Sequence, residues 1–193
     1  MSDDGLRWLL LIYRVPSEPS RARVAVWRDL KRLGGLYLQQ AVCLFPDRPE
    51  LREALAAVRG RIDALGGTWT WIETGALPFN QNAGIVERFR QLAAHEYAEI
   101  IEECETKFVK EIEFERFREN YTFEEAEEIR QDLEKIGRWL AKVIARDWFD
   151  GPGRADAQAW LARCETLLDA FEAEVYQRTG GHDGTDIPGR PHH

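Results

Sequence analysis

Residues 8–35 read WLLLIYRVPSEPSRARVAVWRDLKRLGG, and this stretch decides the fold class. Trp8 to Tyr13 is a short apolar run ended by Arg14, Val15 and Pro16, the pattern of a strand buried on both faces at the centre of a sheet. Pro19 and Ser20 then open a helical stretch to Leu33. Gly34-Gly35 stops it, because glycine takes the left-handed backbone that closes a helix at no steric cost. Working outward, Leu36 to Phe45 is too long for one typical strand and is interrupted by Gln39-Gln40-Ala41, so it reads as two strands or one bent strand. Pro49 to Leu65 carries Leu51, Leu55, Val58 and Ile62 at helical spacing and ends at Gly66-Gly67. Thr68 to Glu73 is aromatic, β-branched and alternating, a strand. The expected order is β-α-β-β-α-β, the ferredoxin-like split arrangement, over residues 1–78.

Beyond residue 83 the composition turns to Glu, Ala, Ile, Phe and Arg, with no Pro or Gly between Ile85 and Asn120, so one long helix is expected there. Thr122-x-x-Glu125 is a capping box opening a second helix through Trp148, and the short Asn120-Tyr121 turn makes the two antiparallel neighbours. Asp150-Gly-Pro-Gly153 breaks the chain before a third helix from Ala155 to Arg178. The expectation is an α+β protein with an acidic helical hairpin or three-helix region at 83–178 and a disordered tail at 179–193.

With 193 residues, 44% hydrophobic and 31% charged, the chain can bury a real core, which excludes disorder throughout. Its longest apolar run is too short to span a bilayer, and the start MSDDG lacks the basic segment of a signal peptide, so a cytoplasmic protein with no membrane association is expected. Cys43, Cys104 and Cys164 are odd in number and widely spaced, as ordinary reduced residues are, and neither a metal nor a cofactor is expected. The net charge of −8 hides an asymmetry: residues 1–75 hold 11 Lys/Arg against 9 Asp/Glu, the remainder 15 against 25. A polyanion would therefore meet the N-terminal half.

On a helical wheel Arg21, Arg28 and Arg32 fall within about 20° of one line, opposite Ala22, Val26, Leu30 and Leu33. Lys31 adds to this stripe, and Arg14 and Arg23 extend it toward the helix start, where Ser17, Ser20 and free N–H groups suit an anion. Three readings stand side by side. The stripe is a solvated face or pairs with the acidic helices; or Arg21, Arg23, Arg28, Lys31 and Arg32 contact DNA phosphates; or Arg14, Ser17, Ser20 and Arg21 hold a tetrahedral oxyanion such as chromate or sulfate. His95-Glu-x-x-Glu99 reads as part of a solvated acidic face, and without a phosphate loop, GxSxG or Ser/His/Asp set no enzyme is expected. Trp139, Trp148, Phe149 and Trp160 are expected to pack the junction of the last two helices, and a leftover apolar face suggests a homodimer.

The segment Leu10 to Gly34, a strand running into VPSEPSR and then a W-R-x-L-K-R-L-G helix, resembles the opening of the N-terminal domain of the ChrB family. Gly137 to Pro152 is similar to that family's second signature. The resemblance implies a chromate-responsive transcriptional regulator of a chromate efflux operon, and kinship with the core of PaaX-type repressors and with small ferredoxin-like CRISPR nucleases. Those nucleases use an acidic residue at the end of their first strand; here that place reads Tyr13-Arg14-Val15, which speaks against metal-dependent cleavage. With seven residues before Trp8, no winged helix of the PaaX type is expected, nor, given where the chain stops, the C-terminal domain of longer family members.

Overall fold

A computed structural model describes residues 5–16, 18 and 20–180. Its elements are β1 (Trp8–Arg14), α1 (Ser20–Arg32), β2 (Leu36–Gln39), β3 (Val42–Pro46), α2 (Pro49–Ala64), β4 (Thr68–Thr74), α3 (Phe79–Glu103), a π-helical turn (Cys104–Phe108), α4 (Val109–Phe117), α5 (Phe123–Ala145) and α6 (Arg154–Gly180). Through residue 74 this is the β-α-β-β-α-β order read from the sequence. The four strands form one antiparallel sheet in the spatial order β2-β3-β1-β4. Of the two readings of 36–45, two strands holds: Ala41 turns the chain at φ 65°, and the β2–β3 register shifts between Tyr37 and Gln39.

The chain divides into two compact units. One comprises the chain up to His95 together with Lys142–Pro152, and the other comprises Glu96–Ala141 and the chain from Gly153.

In the sheet unit β1 is central because both of its faces are apolar. Leu9 and Leu11 face Ala22, Val26 and Leu30 of α1 and Leu51, Leu55, Val58 and Ile62 of α2, all buried. Burying a Leu or Ile side chain in this way contributes about 1.5–3 kcal/mol, which is why the apolar spacing of α1 and α2 sets how they sit on the sheet. Trp8 and Leu44 face the other way, where the start of α3 covers them. Trp8 stacks on Phe89 with ring centroids 5.8 Å apart and 8° between planes, and Phe149 closes the cluster 5.3 Å from Phe89. The Trp8 indole N–H donates to Asn82 Oδ1 at 2.8 Å, which satisfies a polar pair otherwise buried at a cost. A helix across this second face is what separates the unit from a plain ferredoxin-like domain. The unit therefore continues past residue 78.

The aromatic residues near the Asp150-Gly-Pro-Gly153 break divide between the two units. Trp148 and Phe149 pack into the sheet unit against Leu33, Trp8 and Phe89, whereas Trp160 sits under Arg163 of its own helix. The second helix also stops at Ala145, three residues before Trp148, which frees that segment to fold back on the sheet.

In the helical unit, α5 buries Ala126, Ile129, Leu133, Ile136 and Leu140 at alternating spacings of three and four. Thr122 caps it, its Oγ accepting the Glu125 N–H at 3.2 Å, as the capping box implies. α4 and α5 run antiparallel, with Glu111 beside Asp132 and Phe108 near Ile136. Cross-helix pairs Arg116–Glu174 and Arg130–Glu172 bring in α6. The long helix expected over 85–120 is interrupted by the π turn, and the buried residues explain why. Ile100, Cys104, Phe108 and Ile112 recur every four positions. In an α-helix each step of four overshoots a full turn by about 40°, and a wider turn removes that drift. α6 runs to Gly180, so it includes Thr179; the rest of the expected tail, residues 181–193, lies outside the described residues.

Candidate anion and nucleic-acid interface

The sequence of α1 dictates what it presents. With Ala22, Val26 and Leu30 in the core, the 3.6-residue period turns Arg21, Arg28, Lys31 and Arg32 to solvent, and all are exposed, as are Arg23 and Arg14. Asp29 is the one acidic residue of α1. It pairs with Arg61 of α2 at 2.6 Å and with Arg32 at 3.5 Å, so Arg32 is the stripe member with a carboxylate neighbour. Among the described residues Arg14, Arg21, Arg23, Arg28 and Lys31 have no carboxylate partner within ion-pair distance. Within the helical unit, by contrast, Glu103, Glu115, Glu134, Asp132, Glu172 and Glu174 pair with that unit's own Lys and Arg residues.

Of the residues expected to hold an oxyanion, Arg14 and Arg21 do not come together; Arg14 instead adjoins Arg23, which was expected to extend the basic stripe. Arg14 and Arg23 come together: both line an open groove of about 710 Å³ bounded by the end of β1, the flank of α1 and the β2–β3 turn, and both border a second cleft of about 640 Å³ with Gly66 and Gly67. Arg21 points along the outer face of α1 and lines neither. Ser17 lies outside the described residues, as does the side chain of Ser20. The α1 stripe and the Arg14–Arg23 groove are thus two adjoining basic surfaces, one convex and one concave.

Sequence reading missed the groove's aromatic lining. Trp27, 47% exposed, and Val24 form its α1 wall, and Tyr13 and Tyr37 lie on the sheet side with Gln39 and Gln40 at the turn. The two tyrosine hydroxyls bond each other at 2.9 Å, so one supplies the proton and the other keeps its own O–H to donate. Burial raises both phenol pKa values, which keeps them neutral donors. The available signal was Trp27 itself, a large apolar residue on the polar flank of an otherwise cleanly divided helix.

Among the described residues no group of three His, Cys, Asp or Glu side chains could hold a metal ion, and no helix is long and apolar enough to cross a membrane. Cys43 is buried in β3, its thiol pushed up to about 12 by burial.

These features define a small α+β module: an antiparallel sheet carrying a basic helix on one face, joined in sequence to an acidic helical region. The chain belongs to the ChrB N-terminal family, whose model, described as Protein ChrB, N-terminal, matches residues 23–182. It is also 27% identical over 154 residues to Protein ChrB of Cupriavidus metallidurans (strain CH34), an alignment covering 80% of this chain and 43% of that protein. The chain thus spans less than half the length of this curated relative.

Proposed function

We propose that this chain is the DNA-contacting module of a chromate-resistance regulator of the ChrB type, and that it meets the DNA backbone through α1. The observation that carries the reading is the row Arg21, Arg28 and Lys31, exposed and without carboxylate partners among the described residues, on the basic side of a chain whose other half is strongly acidic. Side chains of this kind on a convex helix suit phosphates, which supply affinity and position more than sequence choice. Arg32 shares Asp29 with Arg61 and contributes less. A homodimer belongs to this reading, since two copies would present two such helices to a duplex. A gel-shift titration against the promoter region of the protein's own operon tests it: wild type should retard the fragment, and Arg21→Ala/Arg28→Ala/Lys31→Ala should lose most of that binding. Equal retardation by both proteins contradicts it.

A second reading has its own observation, the Arg14–Arg23 pair at the mouth of the groove. Two guanidinium groups beside a free hydroxyl donor suit a divalent tetrahedral oxyanion such as chromate or sulfate. On this reading the chain is an oxyanion-sensing subunit working with a separately encoded partner.

A further inference from the structure

The groove beside α1 offers more than two guanidinium groups need. Its volume of about 710 Å³ lies within the range of about 300–1,000 Å³ of pockets that take drug-sized molecules, and one tetrahedral oxyanion leaves most of it empty. The helical period builds one wall. With Ala22, Val26 and Leu30 in the core, Arg23 and Trp27 share one flank of α1, turned away from Arg21 and Arg28. Trp27 is 47% exposed, and among the described residues no aromatic ring stacks on its indole.

The opposite wall comes from the sheet. The Tyr13 N–H donates to the Ala41 carbonyl at 3.0 Å, which ties the β2–β3 turn to β1. That turn places Gln39 and Gln40 in the groove wall with the Tyr13–Tyr37 hydroxyl pair, and neither glutamine amide has a hydrogen-bond partner among the described residues. Arg14 and Arg23 border both this groove and the adjoining cleft of about 640 Å³, so positive charge sits at the seam between the two spaces. Trp27 follows Arg23 by four positions, a rise of about 6 Å along the helix, and a ribose bridges a gap of that order between a base and its phosphate.

We propose that the groove binds a nucleoside 5′-phosphate, the base stacked on Trp27 and the phosphate held between Arg14 and Arg23. Guanidinium groups suit phosphate oxygens through charge-assisted hydrogen bonds. The amides of Gln39 and Gln40 and the free O–H of the tyrosine pair supply donors and acceptors for the edge of a heterocycle. Stacking on an indole tolerates any base, so the two amides set whatever preference exists. The proposal rests on the Arg14–Arg23 pair of the second reading above and changes its ligand from a bare oxyanion to a phosphate that carries a ring. The α1 row takes no part in it. The same chemical unit occurs free and at the 5′ end of a nucleic-acid strand, and the second cleft leaves room beyond the arginines for a chain to continue.

The test is equilibrium dialysis of the full chain against labelled adenosine 5′-monophosphate, with unlabelled competitors. Wild type should retain the label, and adenosine and inorganic phosphate should each compete at least about tenfold more weakly than the unlabelled nucleotide. Trp27→Ala should weaken retention about tenfold or more, Trp27→Phe should keep most of it, and Arg14→Ala/Arg23→Ala should abolish it. A short 5′-phosphorylated oligonucleotide separates the sources: stronger competition than the mononucleotide assigns a strand end, and weaker competition assigns the free nucleotide. No retention at millimolar nucleotide overturns the proposal, as does unchanged retention by Trp27→Ala. Inorganic phosphate competing as well as the nucleotide also overturns it, and leaves the bare-oxyanion reading standing. Competition on wild type decides the matter even if a variant does not fold.

Discussion

The indole N–H of Trp148 donates to the carbonyl oxygen of Leu33 at 3.1 Å, joining residues 115 positions apart. Leu33 follows the last turn of α1, so the bond satisfies a carbonyl that the helix leaves without an internal partner. Arg48 lies over the same indole, 5.6 Å from the ring centroid, and donates to the Trp148 carbonyl at 3.4 Å. Trp148→Phe removes the N–H and part of the packed indole, so the sheet unit should lose about 1 kcal/mol for the bond in chemical denaturation, plus the cost of the lost packing. A shortfall in stability several times larger would show that packing, not the bond, is what Trp148 supplies.

Gly34 sits beneath that clamp at φ 72°, and a Cβ there would come within 2.6 Å of the Arg146 carbonyl oxygen and 2.7 Å of Trp148 Nε1. Gly34→Ala therefore meets both the left-handed backbone cost of about 1–3 kcal/mol and a steric displacement of the Trp148 segment. Its melting temperature should fall further than that of Trp148→Phe. Equal or higher stability than wild type would contradict the placement of residues 146–148.

Glu115 is a buried carboxylate, 4% exposed, and Asn120 reaches it with an Nδ2–Oε2 bond of 2.6 Å while also donating to Glu125 at 3.2 Å. Asn120→Ala leaves Glu115 with the weaker Arg118 contact at 3.4 Å, at a cost of about 1–3 kcal/mol to the helical unit. Equilibrium unfolding followed by helical circular dichroism measures it.

The two units should respond to acid in opposite senses. Glu111 is pushed above the usual carboxylate range first by burial and then by Asp132 and Glu125, and Glu125 first by burial and then by Glu115 and Glu128. A raised folded value contributes stability that is full below the unfolded value of 4.5 and is lost as pH rises through the folded value. Asp47 and Glu73 are held low, chiefly by hydrogen bonds from Arg52, Glu73 to about 2. Their contribution is present above the unfolded values of 3.8 and 4.5 and is lost as pH falls toward 2. Melting temperature should rise as pH is lowered toward the unfolded value of 4.5 and then fall as pH drops toward 2, and Arg52→Ala should move that acid loss to higher pH. No rise in melting temperature on acidification from neutral pH to 4.5 would contradict the first part, and an unmoved acid midpoint the second.

If the groove takes an oxyanion, chromate and sulfate should raise the melting temperature of wild type, and Arg14→Ala or Arg23→Ala should remove the shift. No shift at millimolar anion removes that reading and leaves α1 untouched.

The strands and helices of the sheet unit were legible because each carries a periodicity that burial enforces: Leu51, Leu55, Val58 and Ile62 can face the sheet only if 49–64 is helical. The exposed arginines were legible for the same reason, since the core residues of α1 fix where the others point. What escaped was non-local. Nothing in the pattern of 83–95 says that Phe89 will stack on Trp8, and nothing around 148 says that an indole will leave the last two helices for Leu33, because such contacts depend on tertiary fit. The groove escaped likewise, being assembled from β1, α1 and the β2–β3 turn. The π turn left a trace, the run of four-residue spacings from Ile100 to Ile112, that is legible once drift is counted.

If α1 contacts phosphates, as proposed, binding to a duplex should depend on salt in a way that α1 substitutions change. Each lost phosphate contact lowers the magnitude of the slope of log K against log salt by about 0.9, so Arg21→Ala/Arg28→Ala/Lys31→Ala should reduce it by about 2.7 relative to wild type. A slope and affinity identical to wild type in a folded triple variant would contradict the account.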